Sequence, residues 1–238
     1  MATDGASGAE VNFDQDCIFP PREKIVGDFV ELFPLQEEHA DDLYSIIGGE
    51  ETSKLYDYMG YGPFLDHAAF YTHIEHYANT KDPQLYAILN SKTRKLVGHI
   101  AFLRIDVPNR VIEIGHVLFS PSLQRTREAT ETFYLMANKA FEYGYRRLEW
   151  KCDSNNAASR RAALRFGHTF EGVFRQHMIR KGRNRDSAWY SILDKEWRLR
   201  KSAFLSWLRS TKLDPSGKQI EGLKWYQEVH ASDDSQYQ

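Results

Sequence analysis

The chain of 238 residues has only two cysteines, Cys17 and Cys152, and no secretory leader is read ahead of them. Two thiols that far apart make no disulfide framework and point to a reducing compartment, so the expected location is cytoplasmic. Charged or polar residues interrupt every hydrophobic stretch before it reaches the roughly 18 residues of a bilayer span, so no membrane partner is expected. Charge of one sign is also missing. With 31 basic against 33 acidic side chains the formal charge is −2, and no global field draws the protein to nucleic acid. None of the nine histidines falls in a His-Glu-x-x-His or Cys/His cluster with zinc spacing, so no metal is expected. No repeat of solenoid length is visible.

What remains is an ordinary globular composition, 42% hydrophobic and 27% charged, and its length suffices for one well-filled core. Residues 1–12 are small and polar and read as a mobile leader, and 211–238 read as a flexible, solvated tail despite the Trp225–Tyr226 pair. Between them, from 13 to 210, hydrophobic periods of 2 and 3.6 alternate as in an α/β or α+β domain. Strands are expected near 29–34, 84–90, 95–104, 111–119, 147–152, 169–180 and 186–193. Helices are expected near 37–47, 66–79, 124–143 and 156–166, with an amphipathic one after 193 that buries Trp197, Phe204, Trp207 and Leu208. The second to fourth of these strands form an antiparallel meander across 84–119. The helix between 111–119 and 147–152 makes those two strands parallel neighbours. KGRNR reads as a hairpin loop, solvated, with an Arg183–Asp186 pair.

Two segments carry chemistry. In EIGHVLFSPSLQRTREATET a strand runs through a short turn straight into a helix, whose unpaired N–H groups and positive dipole end can seat a pyrophosphate, helped by Arg125 and Arg127. In KCDSNNAASRRAALRFG, Asp153, Asn156 and Ser159 recur every three residues, so Asn156 can cap the helix while Ser159 faces the same cleft. By itself the second segment reads as a plain helix cap sooner than as a site.

Together, Gln124, Ala129, Asp153, Asn156, Ser159, Gly167, Glu171 and Gly172 resemble, in order and spacing, the GNAT acetyltransferase superfamily and its RimJ/RimL-like branch. The likeness covers about residues 28–200. Leu55, Tyr58, Gly62, Pro63 and Phe64 resemble a further segment of that branch, with Tyr56 at its tryptophan position. The resemblance implies a mixed, mostly antiparallel sheet of about seven strands, splayed between the fourth and fifth and flanked by helices. It implies acetyl-CoA as co-substrate, held by Val117, Leu118 and Phe119 along the fourth strand and by the backbone from Gln124 through Arg125, Thr126, Arg127, Glu128 and Ala129 to Thr130, with Asn156 and Ser159 beside it. Arg127 stands where the family has its first glycine.

The implied reaction is direct attack of a primary amine, on a small molecule or a protein N-terminus, on the thioester. The partners expected are acetyl-CoA and that amine, with the protein itself a monomer or homodimer. Such attack needs an acid for the departing thiolate, a base for the ammonium, and a backbone N–H for the developing oxyanion. The family's usual tyrosine acid is replaced by Ala163, which leaves Ser159. The branch's glutamate base aligns with Met178, which leaves Glu113, then His177 and His116. In a regular strand Glu113 and His116 face opposite ways; a bulge would bring them together. The resemblance places Tyr56, Tyr58, Tyr61 and Phe64 at the acceptor cleft. Departures at Arg127, Ala163 and Met178 keep a non-catalytic acyl-CoA sensor or interaction module as the alternative.

Overall fold

A computed structural model describes residues 11, 15–215 and 219–235. The expected leader, apart from Val11, lies outside the described residues. Eight strands form one sheet: β1 (Ile25–Val26), β2 (Val30–Pro34), β3 (Gln84–Asn90), β4 (Leu96–Asp106), β5 (Val111–Phe119), β6 (Arg147–Asp153), β7 (Thr169–Arg180) and β8 (Arg183–Leu193). Their order is β1-β2-β3-β4-β5-β6-β8-β7, antiparallel throughout except for β5 and β6. The short β1 is the strand that the periodic pattern does not reveal, because two residues carry no period.

Alternation within each strand sends residues to two cores. Ile112, Ile114, Leu148, Trp150, Ala188 and Tyr190 pack on one face beneath helices α3 (Arg127–Glu142) and α5 (Asp194–Arg209). Leu85, Ala87, Ala101 and Leu118 pack on the other beneath α1 (Ala40–Ile47) and α2 (His67–Asn79). In α3 the residues Phe133, Met136, Ala137 and Ala140 recur at helical spacing and are 0–1% exposed, and burying Phe133 or Met136 is worth up to about 3 kcal/mol. Thr126 caps the start of α3 by accepting from Ala129 N–H at 3.1 Å. Beyond its end, Gly144 takes φ +88°, and a β-carbon there would collide with the Asp16 carbonyl. A carboxylate, Glu131, reaches from α3 to the β1–β2 turn and accepts from Asp28, Phe29 and Val30 N–H at 2.9, 2.6 and 2.8 Å.

Two expectations are corrected. The segment 211–238 is not a solvated tail over its described part: α6 (Leu223–Ser235) packs against α5, with Leu223 1% exposed. Trp207 Nε1 donates to Glu221 O at 3.0 Å and Gln227 Nε2 to Arg165 O at 3.2 Å, so polar anchors supplement one leucine and the half-buried Tyr226. KGRNR is not a loop either. Only Lys181 and Gly182 turn, and Arg183, Asn184 and Arg185 pair with Arg180, Ile179 and Met178. Asp186 accepts from Gln176 N–H and Asn184 Nδ2 rather than pairing with Arg183.

Candidate active site

The site begins where the sheet divides. β5 and β6 pair only at Val111–Arg147, Ile112–Leu148 and Glu113–Glu149, although both strands continue beyond. From Ile114 onward the β5 edge therefore faces a gap instead of a neighbour. Along the same stretch β5 holds one residue more than β4: Ala101 pairs with Gly115 and His99 with Leu118, so His116 and Val117 together oppose Ile100. His116 sits at φ +47° within this bulge. The extra residue breaks the alternation and places His116 on the α2 face with Glu113, its Nδ1 3.2 Å from Tyr61 Oη and its ring stacked on that tyrosine.

On the α3 side of the gap lie the turn 120–126 and the helix α4 (Ala157–Arg165). Gln124 Nε2 donates to Phe119 O at 3.0 Å and closes the strand end. Arg125 takes φ +62°, which is where a glycine would relieve strain, and Arg127 is already helical. The Arg127 guanidinium turns away from the turn, donating to Ser210 O at 3.1 Å and lying 5.2 Å from the Phe29 ring. With Ala129 N–H held by Thr126, the amides of Arg127 and Glu128 are the first-turn donors without an intrahelical acceptor. Thr130 Oγ1 is held by Arg165. Asn156 caps α4 through Ser159 N–H at 3.0 Å. Ser159 Oγ accepts from Trp150 Nε1 at 3.0 Å; since an indole only donates, the serine proton is left to point elsewhere. Buried Cys152 lies against the same hydroxyl, its thiol pushed up by desolvation.

The other side of the gap is polar and cationic. Glu113 is 2% exposed, and its Oε2 lies 3.0 Å from Lys151 Nζ and 3.4 Å from Arg104 Nε. Burial pushes the Glu113 carboxyl up, against the pull of Lys151 and Arg104, and pushes the Lys151 ammonium down. Both cations lie over the Trp189 ring, at 5.1 and 5.3 Å. Asp82 accepts from Arg104 and Ile105 N–H at 3.0 Å each and fixes the kink that carries Arg104. A second kink, at Gln176 (φ +49°), carries His177, whose Nδ1 is 2.8 Å from Ser187 Oγ. Burial, then Lys151 and Arg185, lower the His177 pKa. His116 falls to about 4 through burial, Arg180 and Lys151, and is neutral at physiological pH.

Not every expected residue joins this site. Tyr56 is 1% exposed with its hydroxyl donating to Ile47 O at 2.7 Å, and Phe64 packs against Tyr56 and Phe70, so both serve the second core. Leu118 is buried there too and turns its side chain from the gap. Tyr61 faces His116, and exposed Tyr58 donates to Asn155 O at 3.2 Å, bridging to the loop before α4. Lys151, Arg104, Arg180, Arg185 and Trp189 escape the sequence reading. A lysine between Trp150 and Cys152, two residues of the apolar face, is the one signal that could have pointed to the opposite face.

The family model described as "Acetyltransferase (GNAT) domain" matches residues 30–169, more than half of the chain. The chain belongs to the GNAT acetyltransferase family. Among solved GNAT structures, a GCN5-related N-acetyltransferase from Brucella melitensis is 38% identical with a TM-score of 0.87, covering 90% of this chain and 97% of that one. A probable GNAT-family acetyltransferase from Chromobacterium violaceum ATCC 12472 is 39% identical with a TM-score of 0.76, covering 83% and 100%. The uncharacterized N-acetyltransferase YoaA of Bacillus subtilis (strain 168) is 31% identical over 109 residues, which are 45% of this chain and 61% of that relative. The eight-stranded sheet with its one parallel pair is the GNAT fold. Among the described residues no group of three or more His, Cys, Asp or Glu is placed to hold a metal, and no helix is long and apolar enough to cross a membrane.

Proposed function

We propose that this protein is an acetyl-CoA-dependent N-acetyltransferase that acts on a primary amine by direct attack in a ternary complex. The observation that carries the reading is the fork after Glu113–Glu149, with Ser159 on its α3 side and Glu113 at its apex on the other. The residues present suit acetyl-CoA: an unpaired β5 edge for a pantetheine amide, a bulge, and the free first-turn amides of Arg127 and Glu128 for phosphate. Bound acetyl-CoA supplies an activated acetyl thioester. Ser159, oriented by Trp150, holds a hydroxyl proton for the departing sulfur. Glu113 accepts the ammonium proton, and its raised pKa brings it nearer the pH where a base works best. A β5 backbone N–H at the bulge steadies the developing negative charge. The RimJ/RimL-like placement rests on Asp153, Asn156, Ser159 and the Leu55–Phe64 segment.

A second reading, a non-catalytic acyl-CoA sensor, draws on the occupation of Glu113 Oε2 by two cations. Thiol release from acetyl-CoA with a panel of amines and peptide N-termini, beside calorimetric titration of CoA, separates the two. Turnover removes the sensor; binding without turnover removes the transferase. No CoA binding refutes both.

A further inference from the structure

The far wall of the acceptor side is built by the β7–β8 hairpin, which folds back onto the loop before α2. Lys181 Nζ donates to Tyr56 O at 2.8 Å. The Arg180 guanidinium lies so close over Gly60 that a β-carbon there would collide with its Nη1. Arg185, which pairs across the hairpin with Met178, is 8% exposed, and Trp189, on the same face of β8, is 7% exposed. Arg180 Nε, Arg185 Nε and Trp189 Nε1 are all buried with no hydrogen-bond partner. Three buried donors without acceptors are costly, and none of the three groups can accept.

Their common complement is an acceptor atom, and the charge around them specifies its sign. Arg104, Lys151, Arg180 and Arg185 all bear on His177, and two carboxylates lie near them. One is Glu113, whose Oε2 already takes Lys151 and Arg104; the other is Asp153, whose Oδ1 accepts from Asn155 N–H. Neither forms an ion pair with Arg180 or Arg185 among the described residues. Arg180 bears on Arg185 more than any other charged group does, so the two like charges confront each other in a half-buried space. A bound anion relieves both this repulsion and the missing hydrogen bonds.

We propose that the acceptor amine carries an anionic group, a carboxylate or phosphate, that docks against Arg180 and Arg185 with Trp189 Nε1 as a further donor. This rests on the N-acetyltransferase reading for the amine, while the anion site stands on its own geometry. The amine of such an acceptor lies toward the apex of the fork, where Glu113 sits.

The test uses matched pairs: L-phenylalanine against L-phenylalaninamide, and O-phosphoethanolamine against ethanolamine. Each is titrated calorimetrically into the protein alone and saturated with CoA, beside thiol-release kinetics with acetyl-CoA. The charged member is expected to bind roughly ten- to a hundredfold more tightly than its neutral twin, the range of a charge-assisted hydrogen bond. The better pair identifies carboxylate or phosphate. In Arg185→Leu, and in Arg180→Ala should the first variant lose its fold, the preference falls toward parity, and Arg185→Lys regains part of it. The amide's less basic amine favours its turnover, so a kinetic preference for the acid is not produced by basicity. Equal binding of the twins, no binding of either, or a preference that both variants leave intact overturns the proposal. Anion preference without thiol release leaves the site standing and removes the transferase.

Discussion

Replacing Glu113 by Gln separates its chemical role from its electrostatic one. The change keeps the shape and an acceptor oxygen but removes the charge shared by Lys151 and Arg104, with the Glu113 and Lys151 side chains only 3% and 9% exposed. Removing one partner of a buried pair costs about 3–5 kcal/mol. The retained amide oxygen still accepts from Lys151, and Arg104 is half exposed, which brings the expected loss to about 2–3 kcal/mol, a fall in Tm of roughly 4–12 °C. Glu113 has a raised pKa, so its contribution to stability is present below the unfolded value and lost as pH rises through the folded one. Lys151 has a lowered pKa, so its contribution is present above the unfolded value and lost as pH falls through the folded one. Both shifts have burial as their largest cause, so the charged pair gives the fold no net stability. Neutralising both, in Glu113→Gln with Lys151→Met, is therefore expected to restore wild-type stability or exceed it. Turnover is not expected to return, since loss of a general base costs about 10²–10⁴ in kcat. The acid limb of kcat/KM should lie above the usual carboxylate range and vanish in Glu113→Gln. A single variant with wild-type kcat, or a double variant that recovers activity together with stability, refutes Glu113 as the base.

Ser159→Ala should lower kcat by about 10²-fold with calorimetric CoA affinity retained, and Trp150→Phe, which keeps the ring and removes only the N–H, by about two- to tenfold. Unchanged kcat in both would move the acid elsewhere. Glu131→Ala strands three backbone N–H groups at the β1–β2 turn and should lower Tm by about 5–15 °C in a thermal melt. Leu223→Ala should destabilise by about 2–5 kcal/mol and speed hydrogen exchange across α6; a change near zero in denaturant titration would mean that α6 does not dock.

The elements most legible from sequence are those whose side-chain period is long and clean. α3 shows its core stripe over sixteen residues, and the β5-α3-β6 crossover follows from connection rules, so the parallel pair was readable. Asn156 and Ser159 were readable because capping is local: three residues of spacing decide it. The cationic side of the fork was not, because three bulges build it. The kinks at Arg104 and His116 each add one residue and shift the side-chain parity of β4 and β5, and the kink at Gln176 adds two residues to β7 between Phe174 and Met178. Two are held by carboxylates distant in sequence, Asp82 and Asp186, and no local pattern announces them. Tyr56 misled for the opposite reason: a tyrosine in a polar, glycine-rich segment reads as cleft-facing, while its hydroxyl in fact satisfies a helix carbonyl inside the core. The tail misled because α6 attaches through Leu223 and a few polar contacts, too small an apolar face to give a period.

The same logic accounts for Arg127 at the family's glycine position. A glycine is required where φ is positive or where a β-carbon would obstruct an approach; here positive φ falls on Arg125, and Arg127 is the first residue of α3. The arginine side chain leaves the turn 120–126 and joins the Ser210 carbonyl, just past the end of α5, to the Phe29 ring of the β1–β2 turn. One turn further along α3, Glu131 grips that same turn through three N–H groups. Two charged residues of the first helical turns thus tie the start of α3 to the sheet edge and to α5. The motif departs from its family pattern because this position holds the helix in place, and the backbone amides of Arg127 and Glu128 remain open to the turn.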